Sequence, residues 1–243
     1  MKWLELMGQF STVCLIIPFI TLIALKLYRY KNFGALLIYH FLLICYLLMT
    51  EGVLTVSKEF SQNLGILFNF LEAPLILFFL LYLINSKTLS YKISVTIIAL
   101  VCFEIIVFFF AGFSIQSVKI ILAPGILLVL IFSFIIYSKY IRSIVKSRNR
   151  LGKMLINTAI LFAYSIYTII YIFLYIVDTP DKADAILIYH LNIIVSSFIL
   201  TLGLYHESRR LRTLNEVIRA RRELNEFFKE EKAANFKNIT AFL

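Results

Sequence analysis

Apolar residues in this chain fall into seven long runs separated by short polar stretches: 10–27, 33–56, 64–84, 93–113, 118–137, 151–177 and 183–205. Each is about 20 residues, which at roughly 1.5 Å per residue spans the hydrocarbon of a bilayer as a helix. Transmembrane strands would be shorter and would alternate apolar with polar positions, and no such alternation is present. The pattern predicts an all-α, polytopic membrane protein with seven transmembrane helices. Turns fall at Lys31-Asn32, Asn85-Ser86 and Asp178-Thr179-Pro180-Asp181. After Tyr205 the composition changes sharply. Leu211, Leu214, Val217, Ile218, Leu224 and Phe228 recur at helical spacing among many charges. Arg221 interrupts the stripe, which argues against a long coiled coil. The expected organisation is a bundle over 1–205 and a basic amphipathic helix and tail over 206–243.

Composition supports this reading, with 61% hydrophobic residues and a mean hydropathy of +0.89. The formal charge of +10 is unevenly placed. Twenty of the 24 Lys and Arg fall on one side of the seven runs, and only Lys2, Lys58, Lys119 and Lys182 on the other. The positive-inside rule then predicts an outside N-terminus and a cytosolic tail. Basic residues that flank spans point to a membrane surface, with anionic lipid at the cytosolic face, rather than to nucleic acid. Cys14, Cys45 and Cys102 all lie within apolar runs and read as packing residues, not as a disulfide framework. Lys2 and Glu5, with no small-residue cleavage site after the first run, make that run a retained span.

Charged groups at membrane depth cost about 2.5–3.5 kcal/mol each on insertion scales, so they mark candidate sites. Here they are Glu51, Glu72 and Glu104, joined by His40 and His190. By helical rise Glu51 lies about 5 Å below the outer boundary, Asn69 about 8 Å, His190 about 10 Å and Glu72 about 12 Å, with Glu104 near the midplane. Asn69 and Glu72 are three residues apart and share a helix face. Tyr164, Tyr167, Thr168, Tyr171 and Tyr175 form a polar-tipped stripe on the sixth span. Ser197 and Thr201 follow His190 on the seventh. The candidate ligand-binding set is Glu51, Asn69, Glu72, Glu104, Tyr164, Tyr167, Tyr171 and His190. Carboxylates and tyrosine rings suit a small cation, an amine or a polyol from the outside. Interhelical hydrogen bonding by the same residues is the competing reading. Pro74, two residues after Glu72, frees a backbone carbonyl near a buried acid.

No catalytic apparatus is legible, and no enzyme activity, cofactor or metal is expected. His40, His190 and His206 lie at different depths and cannot share an ion. Zinc-protease, nucleophile-elbow and phosphate-loop motifs are missing. The seventh span has no lysine for a retinal Schiff base.

Two functional classes remain. Runs 1–3 and 5–7 would be parallel triplets joined by run 4. Pro18 and Pro124 lie at similar depth, and Gly34, Leu37, Ile38, Leu43 and Tyr46 match Gly152, Leu155, Ile156, Leu161 and Tyr164. This plan resembles the three-plus-one-plus-three layout of small sugar carriers, without their Pro-Gln signature, since Phe19 follows Pro18 and Gly125 follows Pro124. Eight Gly and four Pro in the whole chain favour a stiffer bundle than carriers use. The layout over 10–232, with Leu71-Glu72-Ala73-Pro74-Leu75-Ile76-Leu77 in the third run, resembles the seven-helix input modules of bacterial sensor histidine kinases. That resemblance implies a receptor in the bacterial cytoplasmic membrane. With no catalytic domain after Leu243, it would act through a homodimer or a cytosolic partner engaged by 207–232. The expected function is a non-enzymatic receptor or regulatory protein, with a small-solute or ion transporter as the alternative.

Overall fold

A computed structural model describes residues 2–144, 150–177 and 182–240, and the turn expected at 178–181 lies outside them. Seven helices dominate: α1 (Lys2–Ala24), α2 (Phe33–Thr50), α3 (Lys58–Leu83), α4 (Lys87–Ala111), α5 (Ile115–Ile144), α6 (Leu151–Tyr171) and α7 (Lys182–Thr240). A π turn at Ile172–Ile176 continues α6. All seven are long and apolar enough to cross a membrane, and among the described residues there is no strand. The chain has the build of a multi-pass helical membrane protein.

Local chemistry moves several ends away from the apolar runs. The second run extends to Val56, but α2 stops at Thr50 because Gly52 takes a left-handed φ of 73°. α3 starts at Lys58, six residues before its apolar run. Ser57 caps it by accepting from the Phe60 amide at 3.2 Å, and Glu59 complements the helix dipole. Asn32 turns the chain between α1 and α2 at φ 70° and donates its side-chain amide to Phe78 O at 2.8 Å, pinning that turn to α3.

Six helices form a ring in the order α1, α2, α3, α5, α6, α7, closed by α7 against α1. α4 stands outside it, packed on α3 and α5. Burial agrees with this arrangement. Leu77, Phe79 and Leu80 of α3 are fully buried, whereas Phe109 and Phe110 of α4 are 86% and 84% exposed. Glycine lets neighbouring backbones close up. A Cβ at Gly152 would lie 2.5 Å from the Glu207 amide nitrogen, and one at Gly203 would lie 2.7 Å from that of Ile156, so α6 and α7 touch backbone to backbone. A Cβ at Gly125 would lie 2.9 Å from the Ala73 methyl, bringing α5 against α3.

α7 is a single helix of 59 residues. Glu207, Ser208 and Leu211 are still buried in the bundle, so the charged segment begins inside it, and residues 212–226 are exposed. Asn215 donates to Tyr30 Oη at 2.8 Å, tying the emerging helix to the α1–α2 connection.

Candidate functional site

A cavity of about 90 Å³ lies at mid-depth among α1, α2, α3, α6 and α7. Its walls are mostly apolar, as ligand cavities are. Its polar groups converge from four helices: Tyr39 and His40 of α2, Glu72 of α3, Tyr164 and Tyr167 of α6, and Tyr189, Asn192, Ser196 and Ser197 of α7. Leu36 O can only accept, so His40 donates its Nδ1–H to it at 2.8 Å, and in the neutral ring Nε2 is left as an acceptor. Tyr164 donates to Glu72 Oε1 at 3.0 Å, and Glu72 Oε2 has no protein partner. Asn192 donates to Ala163 O at 3.0 Å, leaving its Oδ1 unpartnered. The cavity joins four phenol rings to one carboxylate. That combination attracts a small cation electrostatically and through the ring faces.

Behind Glu72 is a second, much smaller space of about 10 Å³ where α3, α4, α5 and α6 meet. Asn69, Glu72, Glu104 and Tyr164 supply its polar lining. Glu104 is fully buried although α4 is otherwise the most peripheral helix, and neither of its carboxylate oxygens has a partner. The Tyr164 hydroxyl donates to Glu72 Oε1, and the Asn69 amide donates one hydrogen to Gly65 O at 2.6 Å. No protein donor reaches Glu72 Oε2 or either Glu104 oxygen. The Gly125–Ala73 approach sets the width of this junction, since Gly125 and Ala73 both line it.

The eight expected site residues therefore separate. Asn69, Glu72, Glu104, Tyr164 and Tyr167 surround the cavity and the space behind it. Glu51 and His190 form a different cluster nearer the start of α1. Thr12 donates to Glu51 Oε1 at 2.7 Å. Ser11 donates to Gly8 O at 2.7 Å, so His190 Nδ1–H must donate to Ser11 Oγ at 2.8 Å. Gly8 makes room for this cluster, since a Cβ there would lie 3.2 Å from Glu51 Oε1. Tyr171 stands apart: it faces α5, where it donates to Lys119 O at 2.9 Å. The tyrosine stripe divides because α6 contacts two neighbours. Tyr164 and Tyr167 look toward α7 and α3, while Thr168 and Tyr171 look toward α5.

No family model, curated protein or solved structure matches this chain. Among the described residues no group of three or more His, Cys, Asp or Glu is placed to hold a metal ion.

Sequence reasoning missed Tyr39 and Tyr189, which look like ordinary apolar-run aromatics until α2 and α7 are paired across the ring. It also missed a polar clamp where α7 leaves the bundle. Glu207 is fully buried. Arg210 donates to it from Nε at 2.9 Å and from Nη2 at 2.6 Å, and the Tyr82 hydroxyl of α3 donates to its Oε1. Lys153 of α6 donates to Tyr82 O at 2.9 Å and lies 4.4 Å from the centre of the Tyr82 ring. In sequence Glu207 and Lys153 read only as flanking charges. The detectable signal was Gly152 beside Lys153, which marks a close helix approach at that level.

Proposed function

We propose that the protein is a non-enzymatic membrane receptor. A small cationic or polar ligand held in the tyrosine-lined cavity is read out through α7. The observation that carries this reading is the continuity of α7: one helix lines the cavity with Tyr189, Asn192, Ser196 and Ser197 and runs on unbroken to Thr240. A rigid helix transmits a tilt or rotation over its whole length, about 1.5 Å per residue. The Glu207–Arg210–Tyr82 clamp holds that helix at the level where it leaves the bundle. The charge asymmetry orients the extension toward the cytosol, where a protein partner or anionic lipid receives the movement. A cavity of about 90 Å³ is below the range of roughly 300–1,000 Å³ for drug-sized ligands, so it suits a ligand of few heavy atoms.

The test uses a variant lacking the native cysteines, labelled at Ser86→Cys and Leu224→Cys, in lipid nanodiscs. Ammonium, methylammonium and tetramethylammonium are titrated while the label-to-label distance is followed. At least one is expected to shift the distance, and Glu72→Gln is expected to suppress the shift. An unchanged distance for all three, together with saturable thermal stabilisation by any, would reject the lever.

One observation favours a second reading, a carrier built from two parallel triplets. In the ring order α1, α2, α3, α5, α6, α7, half a turn takes α1 to α5, α2 to α6 and α3 to α7, with α4 outside as a connector. Saturable flux of an amine or sugar into proteoliposomes, lost in Glu72→Gln, is the outcome this reading requires.

A further inference from the structure

We infer that Glu104, Glu72 and Asn69 form a binding site for one monovalent alkali cation, beside the tyrosine-lined cavity with which it shares Glu72. The reasoning starts from hydrogen-bond accounting. Buried polar atoms find partners, and an unpaired one costs on the order of 1–3 kcal/mol, more when charged. Here three carboxylate oxygens, Glu72 Oε2 and both of Glu104, have no protein partner, and the two residues line one space of about 10 Å³. The carbonyl oxygen of Asn69 can serve as a fourth acceptor while the amide nitrogen is held by Gly65 O. No protein donor reaches any of the three carboxylate oxygens. Buried carboxylate oxygens that no protein donor reaches call for a positive occupant. A single water has two hydrogens to give and leaves at least one carboxylate oxygen unmet.

Size and charge select the class of cation. The space holds about one water-sized sphere. Counting both Glu72 oxygens and the Tyr164 hydroxyl, the residues that line it bring six side-chain oxygens. Calcium takes about 6–8 oxygens, and magnesium keeps an octahedral shell that includes several waters. The space has no room for magnesium's waters, and calcium would need all six oxygens, including Glu72 Oε1 and the Tyr164 phenol, which already bond each other. One alkali cation, with one proton shared between the two carboxyl groups, leaves the site neutral in a low-dielectric surrounding. Such a site also accounts for a fully buried acid on the helix that is otherwise most exposed: the ion fastens α4 to α3. The proposal stands whether α7 relays a signal or the bundle carries a solute.

The experiment measures thermal unfolding of the full chain in nanodiscs in lithium, sodium or potassium chloride, with N-methylglucamine chloride at equal ionic strength as reference. One alkali cation is expected to raise the midpoint saturably. Glu104→Gln and Asn69→Ala should each abolish that increment, while Glu51→Gln and Tyr189→Phe should retain it. Asn69→Ala keeps both acids, so the outcome stays readable if Glu104→Gln fails to fold. Equal midpoints in all four salts would overturn the proposal. So would an increment that survives in Asn69→Ala and Glu104→Gln alike.

Discussion

Buried carboxylates in this bundle differ in how completely they are satisfied, from Glu207 with both oxygens bonded, through Glu72 with one, to Glu104 with neither. Glu207 has all it needs: two guanidinium nitrogens and a phenol. Glu207→Gln should therefore act as a stability mutation. Losing charge-assisted bonds is worth about 1–3 kcal/mol, with Tyr82→Phe costing less, and fluorimetric unfolding in detergent ranks the two. Glycines give a sharper comparison. Gly203→Ala drives a methyl against the Ile156 backbone and should cost about 1–3 kcal/mol by overpacking. Gly34→Ala meets nothing within 4 Å and should be neutral or stabilising by about 0.4–1 kcal/mol. If both variants unfold at the same temperature, the α6–α7 backbone contact is not as described.

At the scale of elements, α7 and α4 are the unusual pieces. α7 has cavity-lining residues in its first third, a clamp in its middle and an exposed basic extension beyond Leu211. Only the unbroken helix connects these parts. Thr213→Pro removes an interior hydrogen bond and clashes with the preceding turn, at a cost of roughly 3 kcal/mol confined to that segment. Thr213 is exposed and lies beyond Leu211, so the bundle should keep its unfolding midpoint. The ligand-dependent distance change between positions 86 and 224 should disappear. A preserved change would mean that the extension moves by another route. α4 presents bare phenylalanines outward and buries Leu89, Ile93, Leu100 and Val107 along its inner face beside one acid, Glu104.

For the whole molecule the deciding property is which end faces the cell interior. Twenty of 24 basic side chains share one side, so a single cysteine at Ser57 should react with a membrane-impermeant maleimide added to intact cells. One at Ser86 should react only after lysis. Reversed labelling would turn the cavity toward the cytosol and leave α7 pointing outward.

Hydropathy alone was enough for the seven helices. A stretch of some 20 apolar residues has few alternatives in a bilayer, and backbone groups in lipid must be satisfied within the helix. That Glu72, Asn69 and Glu104 lie at neighbouring levels was legible for the same reason, because rise per residue is constant, and the three line one space. Helix ends were less so: α2 stops at Thr50 and α3 starts at Lys58 through a left-handed glycine and a serine cap, which hydropathy does not register. Depth also says nothing about azimuth. Glu51 and His190 belong near the outset of α1 with Ser11 and Thr12, and Tyr171 belongs to α5, because ring order determines which faces meet. That order follows from side-chain packing between helices far apart in the chain, at contacts such as Gly152 with Glu207 and Gly125 with Ala73. Such contacts leave no periodic trace in one strand of letters. The membrane character was therefore present in the residues themselves, and the sites emerged only when the helices were packed.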